Sequence, residues 1–277
     1  MKQPADLDTV FAPTNDRETG QQMLNSALYA IWKPYLIQHL PDACRTRLEN
    51  MVLLVIGMYQ ASSVHLSKVA RKLPIDAQKL SLTRRLRRFL DNEAVDVWSW
   101  YHPWASQLIA SASSGGRLNL IIDTTKVSAS FRKISIAVAY KRRALPLIWD
   151  WVPYARGHCT VKQRIALFQQ LRELISADVR VSLVGDGEFG NPLLIEYLDF
   201  WGWDYALRQK SNTKIWIRGT KDWQRLDALG VQRGDQWWIG QVVLTEASSY
   251  PTHVVAIWHP NEKKPIFLAT LQAAHVD

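Results

Sequence analysis

The hydrophobic period of this chain changes once, and that change limits the folds open to it. From about Gln21 to Ala110, apolar residues recur every three or four positions, the spacing of one buried helical face. Pro34, Pro41, Pro74 and Pro103 divide this stretch into segments. Ser111-Ala112-Ser113-Ser114-Gly115-Gly116 is small and polar, and reads as a flexible joint between domains. Beyond it the apolar runs become short and strand-like. Residues 118–123 predict a buried strand, and 134–140 and 145–149 predict two more, joined by the basic turn Lys141-Arg142-Arg143. Residues 161–175 predict an amphipathic helix, with Ile165, Phe168, Leu171, Leu174 and Ile175 on one stripe. A strand ending at Val184, a helix over 192–200 and a strand over 205–207 follow, so the expected order is β-β-β-α-β-α-β. From about Ser211 the chain is rich in strands and tryptophan, with candidates at 214–218, 237–244, 253–258 and 265–271. The expected organisation is a loose leader (1–20), a helical region (21–114), an α/β core (115–210) and a β-rich insertion (211–277).

The chain has 277 residues, 47% of them hydrophobic, enough for a full core. Its formal net charge of +9 favours a polyanionic partner. Cys44 and Cys159 lie too far apart to suggest a zinc site or a disulfide framework, so a reducing cytoplasmic setting is expected. The polar, acidic N-terminus has no signal-peptide core, and the apolar run 51–58 is too short to span a bilayer.

Positive charge is concentrated in two places. Between Ser67 and Leu90, Lys68, Arg71, Lys72, Lys79, Arg84, Arg85, Arg87 and Arg88 face one acid, Asp76. Segments 67–73 and 81–90 predict two short helices around Pro74, similar to a helix-turn-helix, with Ser81 and Thr83 within reach of phosphates or bases. The plain alternative is a solvated basic helix face. The second cluster is Lys126, Arg132, Lys133, Lys141, Arg142 and Arg143, in a stretch with no acid from Lys126 to Trp149. It is expected beside the reactive face of the sheet. Of the 13 tryptophans, Trp98 and Trp100 are expected in the core. Trp216, Trp223, Trp237, Trp238 and Trp258 fall in the β-rich insertion, where one of them could stack on an unpaired base, although core packing is the commoner fate. His158 and Cys159 read as ordinary loop residues.

Two aspartates close apolar strands: Asp123 after Leu118-Asn119-Leu120-Ile121-Ile122, and Asp186 after the run ending in Val184-Gly185. The element order is that of a ribonuclease-H-like mixed sheet, in which strands one and four are parallel neighbours. Both carboxylates would then stand side by side, where a hard divalent cation (Mg2+ or Mn2+) could bind. Such a pair in a basic chain points to metal-dependent phosphoryl chemistry on nucleic acid. The plain alternative for each is an aspartate capping a turn. Gly185-Asp186-Gly187-Glu188-Phe189-Gly190 formally matches G-x-G-x-x-G, but it follows the fourth strand, and the next strand ends in Arg208-Gln209-Lys210 rather than an acid, which argues against a dinucleotide site. Glu188 is either a supporting carboxylate behind the site or a helix-start acid.

Asp186-x-x-Phe189-Gly190, followed by Gly202-x-x-Tyr205-x-x-Arg208-x-Lys210, resembles the second block of insertion-sequence DDE transposases of the IS-four type, and Ile122-Asp123-Thr124-Thr125 resembles their first. The resemblance implies two magnesium ions held by three acids, cutting and joining of transposon ends on double-stranded DNA, and self-association on that DNA, with the protein on the nucleoid when bound. Under it Asp123 and Asp186 match the first two acids, and Arg208 and Lys210 join the DNA-binding set. The family's third acid lies in a Tyr-x-x-Arg-x-x-x-Glu block, which is not found here; Glu246 and Glu262 lack its Tyr and Arg. The chain ends at Asp277, about where that helix should follow, and so reads as a truncated transposase with impaired catalysis. Two other readings remain: a non-catalytic DNA-binding fragment that inhibits transposition, and a ribonuclease-H-type nuclease unrelated to transposition.

Overall fold

The computed structural model describes residues 19–73, 75, 77–153 and 160–271. The expected leader up to residue 18, Pro74 and Asp76, the loop carrying His158 and Cys159, and the last six residues lie outside the described residues. The chain forms two compact units, Met1–Pro103 and Trp104–Asp277.

The first unit is helical: α1 (Thr19–His39), α2 (Arg45–Ala61), α3 (Leu66–Ala70), α4 (Lys79–Leu90) and the start of α5 (Val97–Ala112). α2 buries Leu48, Val52, Leu53, Leu54 and Ile56, and stops at Ser62, whose left-handed backbone (φ 45°) directs its N–H back to the Met58 and Tyr59 carbonyls. Gly57 lets α3 approach closely, since a Cβ there would lie 2.6 Å from Val69 Cγ1 and 2.9 Å from Leu73 Cδ2. α4 buries Leu82, Leu86 and Phe89, spaced at helical period, and leaves Arg84, Arg87 and Arg88 exposed. Among the described residues no helix is long and apolar enough to cross a membrane.

The second unit is mixed α/β. Its elements are β1 (Arg117–Lys126), β2 (Phe131–Tyr140), β3 (Arg143–Pro153), α6 (Val161–Arg172), β4 (Arg180–Gly185), α7 (Pro192–Phe200) and β5 (Asp204–Gln209), then β6 (Lys214–Ile217), β7 (Gln224–Arg225), β8 (Gln236–Leu244), β9 (Tyr250–Ile257) and β10 (Ile266–Thr270). The first five strands lie in the order β3-β2-β1-β4-β5, with β1, β4 and β5 parallel and β2 antiparallel to both its neighbours. This is the ribonuclease-H-like arrangement. β6 to β10 continue the same sheet, giving ten strands, because β10 returns antiparallel beside β5 and β9 beside β10.

Local sequence accounts for the starts of α6 and α7. Thr160 and Gln163 form a reciprocal capping box at the start of α6. Asn191 caps α7 by accepting from Leu193 N–H, and Pro192 sits at its first position. α6 ends at Arg172 rather than Ile175, because Leu174 and Ile175 donate to carbonyls three residues back and tighten the chain into a turn. Leu118, Leu120 and Ile122 alternate into a fully buried face, whereas Asn119 and Asp123 on the opposite face are exposed. α6 lies over the buried face: its Arg164 holds Glu188, and Arg132, from the Ile134 side of β2, reaches the same carboxylate.

Candidate active site

β1 and β4 run parallel in register from Arg117↔Arg180 to Ile122↔Gly185. The next residue in each chain segment is an aspartate, so Asp123 and Asp186 occupy adjacent positions on segments about 4.8 Å apart. Asp186 follows the end of β4, but Asp123 does not close its strand as expected, because pairing with β2 carries β1 on to Lys126. Both are exposed. The turn after β4 holds Asp186: its Oδ1 accepts the Glu188 N–H at 2.9 Å, and its carbonyl accepts the Phe189 N–H at 3.0 Å. One carboxylate oxygen is thereby committed to the turn. Asp123 pairs with Ser135 of β2, and the Thr125 hydroxyl lies 3.5 Å from its Oδ2.

Glu188 lies before α7, whose cap is Asn191, so it is not a helix-start acid. Its carboxylate is 3.4 Å from the Arg164 guanidinium and 3.9 Å from that of Arg132. Arg164, only 3% exposed, also donates to the Glu188 carbonyl at 2.6 Å and lies over the Phe189 ring at 4.9 Å. This knot fastens the Asp186 turn to α6. The two outer glycines of the G-x-G-x-x-G pattern serve packing. A Cβ at Gly185 would meet Ile122 Cγ2 at 2.8 Å; one at Gly190 would collide with the Gln209 amide and lie 2.7 Å from the Arg208 carbonyl oxygen.

Beside Asp186 opens a cleft of about 700 Å³, lined by Arg208, Lys210, Lys264 and Trp258 among others, with Asp227 the acid facing them. Arg208 and Lys210 are exposed. Lys264 joins them through the β9–β10 connection, a position that carries no local signal in the sequence. Tyr205, the tyrosine of the block that resembles the transposases, is a core residue: its hydroxyl is 2.9 Å from Thr252 Oγ1, and burial pushes its ionisation well above the ordinary phenol range.

The second basic cluster is divided. Lys126, Arg132 and Lys133 lie at the Asp123 end of the β1–β2 hairpin. Lys141 and Arg142 form the β2–β3 turn, both with positive φ (45° and 64°) as a tight hairpin requires. Arg142 is seven positions along from Ser135, the partner of Asp123. That places Arg142 and its neighbour Arg143 about 23 Å away, at the opposite edge of the sheet. Closeness in sequence did not become closeness in space because the strand between them is fully extended.

In the helical unit, Lys68, Arg71, Lys72, Arg84, Arg87 and Arg88 are exposed. Arg85 differs: its Nε donates to Asn50 Oδ1 at 2.6 Å, which ties α4 to α2. Among the tryptophans of the β-rich segment, Trp237 and Trp238 are the exposed ones at 39% and 36%, and Trp238 stacks on His253.

Among the described residues no three His, Cys, Asp or Glu side chains converge as a metal-binding group. Two adjacent carboxylates nevertheless suit a cation such as Mg2+, which is commonly held by one or two carboxylates with water and substrate phosphate completing its shell. Asp123 and the free oxygen of Asp186 are the donors that fit.

No family model and no curated protein matches this chain. Among solved structures, it is similar to the catalytic domain of human endonuclease V (17% identity over 57% of this chain and 70% of that one, TM-score 0.29). It is also similar to the piggyBac transposase in a synaptic complex with hairpin DNA (14% identity over 100% of this chain and 56% of that one, TM-score 0.38). A third similarity is to Marinitoga piezophila Argonaute in complex with guide RNA and target DNA (8% identity over 76% of this chain and 32% of that one, TM-score 0.28). These are distant likenesses to nucleic-acid-processing proteins, a transposase among them.

Proposed function

We propose that this chain is a DNA transposase of the DDE class, similar to the IS-four type, which binds transposon ends and cuts and joins DNA by metal-dependent phosphoryl transfer. The observation that carries the reading is the parallel register that brings Asp123, inside β1, beside Asp186, just past the end of β4, next to a cleft bearing Arg208, Lys210 and Lys264. Asp123 and Asp186 hold the cation. A bound Mg2+ or Mn2+ supplies Lewis-acid activation of the phosphodiester. Arg208 and Lys210 take the phosphates of the strand next to the scissile bond, and the Thr125 hydroxyl orients the Asp123 carboxylate. The exposed cations of α3 and α4, with Lys126 near the site, neutralise the duplex backbone.

The test is metal-dependent nicking of a plasmid carrying the element's terminal repeats, measured beside equilibrium binding to the same repeats. Asp123→Asn and Asp186→Asn should each abolish nicking and leave binding within about two-fold, since neither neutralises a phosphate. Nicking that survives either substitution, or binding that vanishes with it, overturns the assignment. A second reading is favoured by one observation: among the described residues no third carboxylate joins the pair. On that reading the chain occupies transposon ends without cutting them and inhibits transposition. Wild-type protein that binds the repeats but does not nick them would select it.

A further inference from the structure

Beyond the aspartates, the β1–β2 hairpin and the end of β3 carry an aromatic surface on the same sheet face as Asp123. In the paired strands, Asp123 stands opposite Ser135, and Ser135 opposite Trp149. Two residues outward, the row is Thr125, Lys133 and Trp151; two further, Val127 adjoins Phe131, which pairs with Pro153. Because side chains alternate along a strand, all three rows share the Asp123 face, and each step is about 7 Å. Val127, Phe131 and Trp151 are 53%, 48% and 51% exposed, and with Ser128 they line a recess of about 280 Å³. The hairpin tip is held in shape: Ser128 Oγ accepts the N–H groups of both Ser130 and Phe131 at 3.1 Å.

Large apolar side chains clustered in the open mark a binding surface. Its charge says what kind. Lys133 lies directly across from Trp151 on the same face. Asp150, the neighbour of Trp151 in sequence, pairs with Ile134 on the opposite face, and its carboxylate accepts the Trp151 backbone N–H at 2.7 Å. An indole beside an ammonium group matches a nucleobase and its phosphate, and an unpaired base can be splayed from its neighbours to stack there, which a base inside a duplex cannot.

We infer that Trp151 and Phe131 form a stacking platform for an unpaired nucleotide of the DNA strand that enters the Asp123 edge, with Lys133 on its phosphate. The inference rests on Asp123 and Asp186 being the reacting centre. It gives the protein a preference for DNA with a single-stranded tail over a blunt duplex. The tail lies over the β1–β3 hairpins, on the side of the aspartates away from the Arg208–Lys264 cleft.

The test is fluorescence anisotropy with a labelled blunt duplex and the same duplex bearing an oligo-dT tail of either polarity. Wild-type protein should bind one tailed duplex more tightly. Trp151→Ala should lose roughly ten-fold in affinity for that duplex and nothing on the blunt one, and Trp151→Phe should retain most of the preference. Thermal unfolding of each variant establishes that it is folded, as expected for an exposed side chain. Absence of a tail preference in the wild type, or a Trp151→Ala protein that binds both probes as the wild type does or weakens equally on both, overturns the inference. So does a Trp151→Ala protein that keeps the tail preference but self-associates less than the wild type in sedimentation, which would make the patch a contact between copies. The Asp123→Asn/Asp186→Asn double variant should keep the tail preference, so failure of the catalytic assignment and failure of the platform are read separately.

Discussion

Glu188 stands two residues from Asp186, and its role decides whether it belongs to the chemistry or to the scaffold. At 3.4 Å, its attraction to Arg164 is worth about 5 kcal/mol with an effective dielectric near 20, before desolvation of the two groups is subtracted. That desolvation is substantial, because the Arg164 side chain is 3% exposed and that of Glu188 14%. Removing one partner of such a pair typically costs about 3–5 kcal/mol, since the other is left charged and buried. Here the loss is softened. Arg164 keeps its 2.6 Å bond to the Glu188 carbonyl, and Glu188 keeps Arg132 at 3.9 Å. Glu188→Gln and Arg164→Met should therefore each lower the unfolding free energy by about 2–3 kcal/mol, or the melting temperature by roughly 5–10 °C. The double variant should fall short of the sum by about 2 kcal/mol. Urea unfolding followed by tryptophan fluorescence measures all three. If Glu188→Gln left stability within about 0.5 kcal/mol and instead weakened Mn2+ binding, the ion-pair argument would be wrong and Glu188 would be a metal ligand.

Two further outcomes follow from the same geometry. Replacing Arg84, Arg87 and Arg88 by Ala should lower the slope of log affinity for DNA against log salt by roughly 0.9 for each phosphate no longer neutralised, whereas Arg85→Ala should leave the slope alone and reduce stability through its bond to Asn50; an unchanged slope in the triple variant removes α4 from the DNA interface. Gly190→Ala should destabilise by about 1–3 kcal/mol, because its Cβ would lie 2.7 Å from the Arg208 backbone oxygen, while Gly187→Ala, whose nearest neighbour is at 3.6 Å, should be tolerated; urea melts of equal midpoint for the two would refute the close-approach argument.

The amino-acid sequence by itself determined the element order of the α/β unit and the placement of Asp186 at a strand end, because apolar period and the residue that closes a run are local; Asp123 closes its apolar run but not its strand, since pairing with β2 carries β1 on to Lys126. From that order the parallel pairing of β1 with β4 follows, since a strand–helix–strand crossover leaves few alternatives. The basic face of α4 was legible for the same reason: Leu82, Leu86 and Phe89 mark the buried stripe, and Arg84, Arg87 and Arg88 lie off it. Only the tertiary structure decided which cations serve the aspartates. Arg142 and Arg143 are carried to the far edge by an extended β2, Lys264 arrives beside Asp186 from the β9–β10 connection, and Arg85 turns to Asn50. Glu188 is settled by Arg164, 24 residues away, and Trp151 joins the Asp123 face through the register of two hairpins. Each of these rests on contacts between distant parts of the chain, whose alignment depends on strand register and return path, and neither is written in any local run of residues.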